Sequence, residues 1–155
     1  MIKFISNMQK KVNDIQYIFV SSIIALLVQV VLQLLVSLWV DEVTKTYFMQ
    51  ESKGFILINI ILLGPMIESV LLVLLIKLLK NKLHMVNKKN IFIVSTIIFS
   101  ISHYYDLMYI FLVFPSCFVI IYSYLYYTPK KLSSFKVMLY VHIMINIYIL
   151  LLSKV

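Results

Sequence analysis

Five apolar runs separated by short polar segments organise this chain, and their lengths predict membrane-crossing helices. They cover residues 17–40, 55–79, 91–101, 107–127 and 137–152, and at about 1.5 Å of rise per residue the longer ones reach across a bilayer core of about 30 Å. Ahead of them, residues 1–16 carry Ile2, Ile5, Met8, Val12 and Ile15 at helical spacing, with Lys3, Lys10 and Lys11 between. That pattern predicts an amphipathic helix lying on an anionic leaflet. Trp39 and Tyr47 mark the far interface of the first run, and Tyr122, Tyr124, Tyr126 and Tyr127 form an aromatic belt closing the fourth. Pro115 is expected to kink the fourth helix. The fold class expected is therefore all-α: a polytopic helix bundle of about five spans in one membrane domain.

The third run, even when continued to Tyr105, is short for a helix facing lipid. It is expected to be wrapped by its neighbours. Lysine placement sets the orientation. The N-terminus, the segment 77–90 and the segment 128–136 are rich in lysine, whereas Asp41, Glu42, Glu51 and Asp106 fall in the alternate loops. The N-terminus is thereby expected in the cytoplasm and the C-terminus outside the cell membrane.

Composition agrees with the pattern: 63% of residues are hydrophobic, 13% are charged, and mean hydropathy is +1.01. These values exclude an ordinary soluble domain. All 14 basic residues are lysines, so there is no guanidinium fork for phosphate or carboxylate. The +8 charge is spread between apolar runs rather than along one face, which points to membrane orientation and not to nucleic acid. The lone Cys117 allows no internal disulfide and reads as a packing residue. His84 lies in a basic loop and reads as solvated.

Against this background Glu68 stands out, as the carboxylate set deep inside an apolar run. An ionised group there costs several kcal/mol, of order 3 on insertion scales, and is retained where it faces protein or a wet cavity. His103, His142 and Asn146 are polar at comparable depth in two other runs; counting rise from the lysine-rich ends puts all four about 9 to 18 Å in. His142 and Asn146 are one turn apart on one helical face, as are Phe99 and His103. A glutamate beside a histidine can polarise water and take its proton. A second histidine with an asparagine can donate hydrogen bonds to an oxyanion. The plain alternative is a protonated Glu68 bonded to a neighbouring helix, His103 as an interfacial residue beside Tyr104, Tyr105 and Asp106, and His142 with Asn146 as interhelical glue worth about 1 kcal/mol. Glu68, His103 and His142 would also suffice as ligands for zinc, but no HExxH pair is present and a metal-free mechanism is expected.

These residues also carry a resemblance. Pro65-Met66-Ile67-Glu68, then Phe99-Ser100-Ile101-Ser102-His103, then His142-Ile143-Met144-Ile145-Asn146 resemble, in order and spacing, the three motifs of the CPBP intramembrane proteases. That family includes the CAAX prenyl endopeptidases and bacterial proteins linked to bacteriocin processing and self-immunity. The tyrosine-rich turn 125–132 resembles the one before its last motif. The likeness spans roughly residues 57–150, in a core taken as 55–152, with 17–40 as an additional span. The family usually has a second glutamate and an arginine where this chain has Ser69 and Val73.

The resemblance implies Glu68 as the water-activating base, His103 as its partner, and His142 with Asn146 as oxyanion stabilisers. It implies cleavage of a membrane-associated peptide or protein near the cytoplasmic face, without a cofactor. The other reading is a non-catalytic immunity or interaction protein on the same scaffold. A proton- or ion-coupled carrier is disfavoured, since five spans hold no repeat pair.

Overall fold

A computed structural model of the chain describes residues 12–38, 58–103 and 107–152. These form five α-helices: α1 (Asp14–Ser37), α2 (Gly64–Asn81), α3 (Lys88–Ile101), α4 (Leu107–Leu125) and α5 (Ser134–Leu152), with a π-helical turn (Asn59–Leu63) running directly into α2. The fold is all-α, as the apolar pattern requires. Four helices are long and apolar enough to cross a membrane: α1, the continuous Asn59–Asn81, α4 and α5. Their outer faces carry exposed large side chains such as Leu27, Val31, Leu71, Leu74 and Phe111. In water that surface would be an aggregation hazard; in lipid it is the solvated face. The chain is a multi-pass membrane protein. Residues 1–11 of the amphipathic lead-in, the polar stretch 41–53 with Trp39 and Tyr47, and Asp106 lie outside the described residues, while the end of the lead-in, from Asp14, belongs to α1.

Local capping explains why the helices start earlier than hydropathy alone implies. Asn13 and Gln16 form a reciprocal capping box, with bonds of 2.8 and 3.0 Å, so α1 begins at Asp14 rather than Tyr17. Asn87 Oδ1 accepts from the Lys89 N–H at 2.9 Å and starts α3 at Lys88. Ser133 Oγ accepts from the Lys136 N–H at 3.3 Å and brings the start of α5 back to Ser134. The third helix is short, with 14 residues. It is held between α2 and α4, which fits the need to bury a helix of only about 21 Å.

Among the described residues the lysine-bearing segments 77–90 and 128–136 gather at one end of the bundle. There the Asp14 carboxylate, at the first turn of α1, takes four hydrogen bonds: Tyr127 hydroxyl (2.9 Å) and Lys130 N–H (2.8 Å) on Oδ1, Lys131 N–H (2.7 Å) and Leu132 N–H (2.8 Å) on Oδ2. Tyr17 stacks on Tyr127 with ring centroids 3.6 Å apart, and Lys88 Nζ sits 4.8 Å over the Tyr126 ring. Tyr127 is 3% exposed, so it belongs to this latch and not to a lipid-facing aromatic belt.

Helices α4 and α5 form the middle of the bundle. α5 buries Val137, Met138, Val141, His142 and Ile145 along one face, and packs on α1, α4, α2 and the π-turn. Small side chains permit the close approaches around α4: Ser116 and Ser123, seven apart, bond to Gln29 and Tyr17 of α1, at 2.8 and 3.1 Å. Ser95, Thr96 and Ser100 of α3 are buried and return their hydroxyls to their own helix. Phe92 of α3 meets Phe118, Tyr122 and Tyr126 edge-on, which sets α3 antiparallel to α4. Pro115 lies within α4, which continues through it. On either side of α5, α1 and α2 make at most slight contact among the described residues, leaving a cleft floored by α5.

Candidate functional site

The π-turn is the local device that shapes this cleft. Pro65 has no N–H to give, and its ring crowds the preceding turn. The helix widens there: the Gly64 N–H reaches back five residues to the Asn59 carbonyl. In that register the Ile60 carbonyl would pair with the N–H that Pro65 lacks. Asn146 of α5 supplies the donor instead, its Nδ2 reaching the Ile60 oxygen at 2.8 Å. Gly64 is required by the same geometry, because a Cβ there would lie 2.9 Å from the Asn59 oxygen. π-turns of this kind recur at functional sites.

One turn further on, Glu68 projects into the cleft. Its Oε2 lies 3.2 Å from His103 Nε2 and 3.4 Å from His142 Nε2, so one carboxylate oxygen meets both imidazoles. Its other oxygen, Oε1, lies on the Gly64 side. The His103 ring is oriented from below: Nδ1 is 2.7 Å from the Phe99 carbonyl. A carbonyl only accepts, so Nδ1 carries a hydrogen, and neutral His103 presents a bare Nε2 to Glu68. The contact with Oε2 therefore needs one further proton, shared between carboxylate and imidazole. That is an arrangement suited to moving a proton. Phe99 stands edge-on to both rings, with centroids 4.9 Å from His103 and 6.2 Å from His142, which gives the Phe99–His103 spacing its packing role.

A cavity of about 270 Å³ opens here, lined by Glu68, His103, His142 and Asn146 together with Gln29, Asn59, Gly64, Pro65 and Tyr109 among others. The four residues singled out from sequence thus share one space. Depth exceeds the expected 9 to 18 Å for Glu68 and His103, whereas His142 and Asn146 fall within it. Because α2 runs on to Asn81 and α3 starts at Lys88, Glu68 and His103 lie about 20 and 22 Å along their helices from the lysine-rich end, and His142 about 12 Å. The cavity is in the body of the bundle and not at its lysine-rich face. Asn146 also differs: one of its two amide hydrogens is committed to Ile60.

Exposure separates the members. The side chain of Glu68 is 38% exposed, that of His103 21% and that of His142 5%. His142 Nδ1 and Ser69 Oγ are buried with no hydrogen-bond partner among the described residues. Such orphaned groups are rare and costly in native interiors. As to a metal, no group of three His, Cys, Asp or Glu among the described residues is arranged to hold one: both imidazoles meet Glu68 directly, at hydrogen-bond distance. Cys117 is buried in the α3–α4 packing, as expected.

Sequence reasoning overlooked Gln29, the cavity's contribution from α1, and Asp14. The available signal was the same as for Glu68: Gln29 is polar within an apolar run. Comparison with known protein families, curated proteins and solved structures finds no match to this chain.

Proposed function

We propose that the protein is an intramembrane endopeptidase of the CPBP type, acting on a membrane-associated peptide or protein in the cell membrane, with its N-terminus cytoplasmic and its C-terminus outside. The observation that carries this reading is a half-exposed carboxylate meeting two imidazoles on one oxygen inside a membrane-embedded cavity. Water held at Glu68 loses a proton to the carboxylate as its oxygen attacks the scissile carbonyl. His103, anchored by Phe99, orients Glu68 and shares the proton. His142 Nε2 faces the oxygen that becomes negative. Collapse of the intermediate breaks the C–N bond, and the proton passes from Glu68 to the leaving amine. The gathering of lysine-bearing segments at one end of the bundle supports the orientation.

A second reading is a non-catalytic immunity or interaction protein. It is favoured by Ser69, buried without a partner among the described residues where the family usually has a second glutamate, and by Val73 in place of arginine.

The purified protein in detergent, incubated with a panel of quenched-fluorescent hydrophobic peptides, separates the two. The protease reading expects cleavage that drops at least about a hundredfold in Glu68→Gln, a change that keeps shape but removes the base. Cleavage that survives this change, or that Glu68 never influences, refutes it. Loss of cleavage on adding EDTA would instead assign the same three side chains to a metal.

A further inference from the structure

Gln29 is the residue that α1 contributes to the cavity, and its amide is held in a defined orientation. Ser116 of α4 donates its hydroxyl to Gln29 Oε1 at 2.8 Å. With its oxygen taken by Ser116, the NH2 group is the end of this cavity-lining amide that has hydrogens to give. Among the described residues α1 and α2 make at most slight contact, and α5 packs on both and closes the floor of the cleft between them. Across it lie Glu68 and the π-turn. Two other amides line the cavity, Asn59 of the π-turn and Asn146 of α5, and Asn146 has a donor engaged by the Ile60 carbonyl.

We propose that Gln29 is a substrate-binding residue, whose NH2 group holds a backbone carbonyl of a hydrophobic peptide lying extended between α1 and α2. The inference rests on the protease reading and adds a contact supplied by the helix outside the motif-bearing core. An extended peptide brings unpaired carbonyls into an apolar setting, where each needs a donor. A side-chain amide is suited to this need: it stays neutral, and one end can be tethered while the other gives two hydrogens. The tether matters because a glutamine amide that turns freely presents oxygen as often as nitrogen. The contact is made in the ground state, so it acts on binding rather than on the chemical step.

The test uses the full chain in detergent and a lysine-flanked, leucine-rich dodecapeptide bearing a fluorophore and a quencher, so that one probe reports binding and cleavage. Four variants are compared with wild type. Glu68→Gln is expected to bind like wild type without cleaving. Gln29→Met is expected to bind about three- to tenfold more weakly, with KM raised by the same factor and kcat nearly unchanged. Gln29→Glu, which keeps an acceptor for Ser116 but has no N–H, is expected to lose as much, which guards against a packing artefact. Ser116→Ala keeps the amide and should lose less than either; a purely structural Gln29–Ser116 tie would make Ser116→Ala and Gln29→Met equivalent.

Binding by both Gln29 variants equal to wild type, with Glu68→Gln inactive, overturns the inference and leaves the protease reading standing. Gln29-dependent binding with no cleavage by wild type does the reverse. Wild type that fails to bind the probe at millimolar concentration also overturns the inference.

Discussion

Among the described residues two carboxylates lie in the helical bundle, and they are treated in opposite ways. Asp14 is 4% exposed, and its two oxygens are filled by four donors, three of them consecutive backbone N–H groups. Glu68 is more than one-third exposed, has both imidazoles on one oxygen, and neighbours two orphaned polar atoms and a widened helical turn. A carboxylate that is buried and fully satisfied is a structural rivet, fixing α1 to the α4–α5 loop. A carboxylate that is reachable and incompletely satisfied, beside a widened helical turn, costs stability that the fold has no packing reason to give up. The contrast teaches that polar satisfaction, more than polarity itself, separates framework from site.

The largest effect expected on stability is at the rivet. Asp14→Ala leaves three loop N–H groups and the Tyr127 hydroxyl without their acceptor, and should destabilise by about 3 to 5 kcal/mol, the loop recovering part of the loss from water. A thermal melt of the detergent-solubilised protein measures it. A shift within error would mean that the latch carries no load and that the contrast is drawn wrongly.

At the π-turn, Asn146→Ala orphans the Ile60 carbonyl and should cost about 1 to 3 kcal/mol of stability. Activity should fall with it, through displacement of Glu68. Asn146→Asp, which keeps shape but offers a carboxyl, tells the two roles apart: if the amide serves only the turn, stability and activity fall in step. A large rate loss with an unchanged melt would return Asn146 to an oxyanion role. Gly64→Ala places the added methyl 2.9 Å from the Asn59 carbonyl oxygen, closer than a side-chain carbon sits, so the turn itself must shift, at about 1 to 3 kcal/mol. No change in melt or cleavage would show that the widened turn tolerates crowding and is not shaping the site.

Much of this was legible in the residues. Apolar run lengths predict the spans, and lysine alternation predicts which segments meet at one end, because both follow from transfer energies that act residue by residue. Glu68, His103, His142 and Asn146 were visible because a polar side chain in hydrocarbon demands a reason. What stayed hidden depends on pairing. Asp14 reads as one more polar residue of a surface helix until the 130–132 backbone closes on it. Asn146 reads as an oxyanion donor, and its second task, giving one amide hydrogen to the carbonyl that Pro65 frees 81 positions earlier in the chain, is invisible in the sequence. Gln29 carried the same signal as Glu68 but lay in a helix outside the motif pattern. Tyr127 was assigned to an interface belt, since its sequence neighbours are tyrosines and stacking on Tyr17 is a tertiary event.

The central claim is that Glu68 belongs to a site and Asp14 to the framework. Glu68→Gln and Asp14→Asn, each replacing a carboxylate by its amide, put that claim to a direct test when melting temperature and peptide cleavage are both recorded. Glu68→Gln is expected to melt within about 1 kcal/mol of wild type and to lose cleavage at least about a hundredfold. Asp14→Asn is expected to melt early, and below its melting point to cleave at close to the wild-type rate. A Glu68→Gln protein that is destabilised as much as Asp14→Asn while still cleaving would make Glu68 a second rivet and contradict the account.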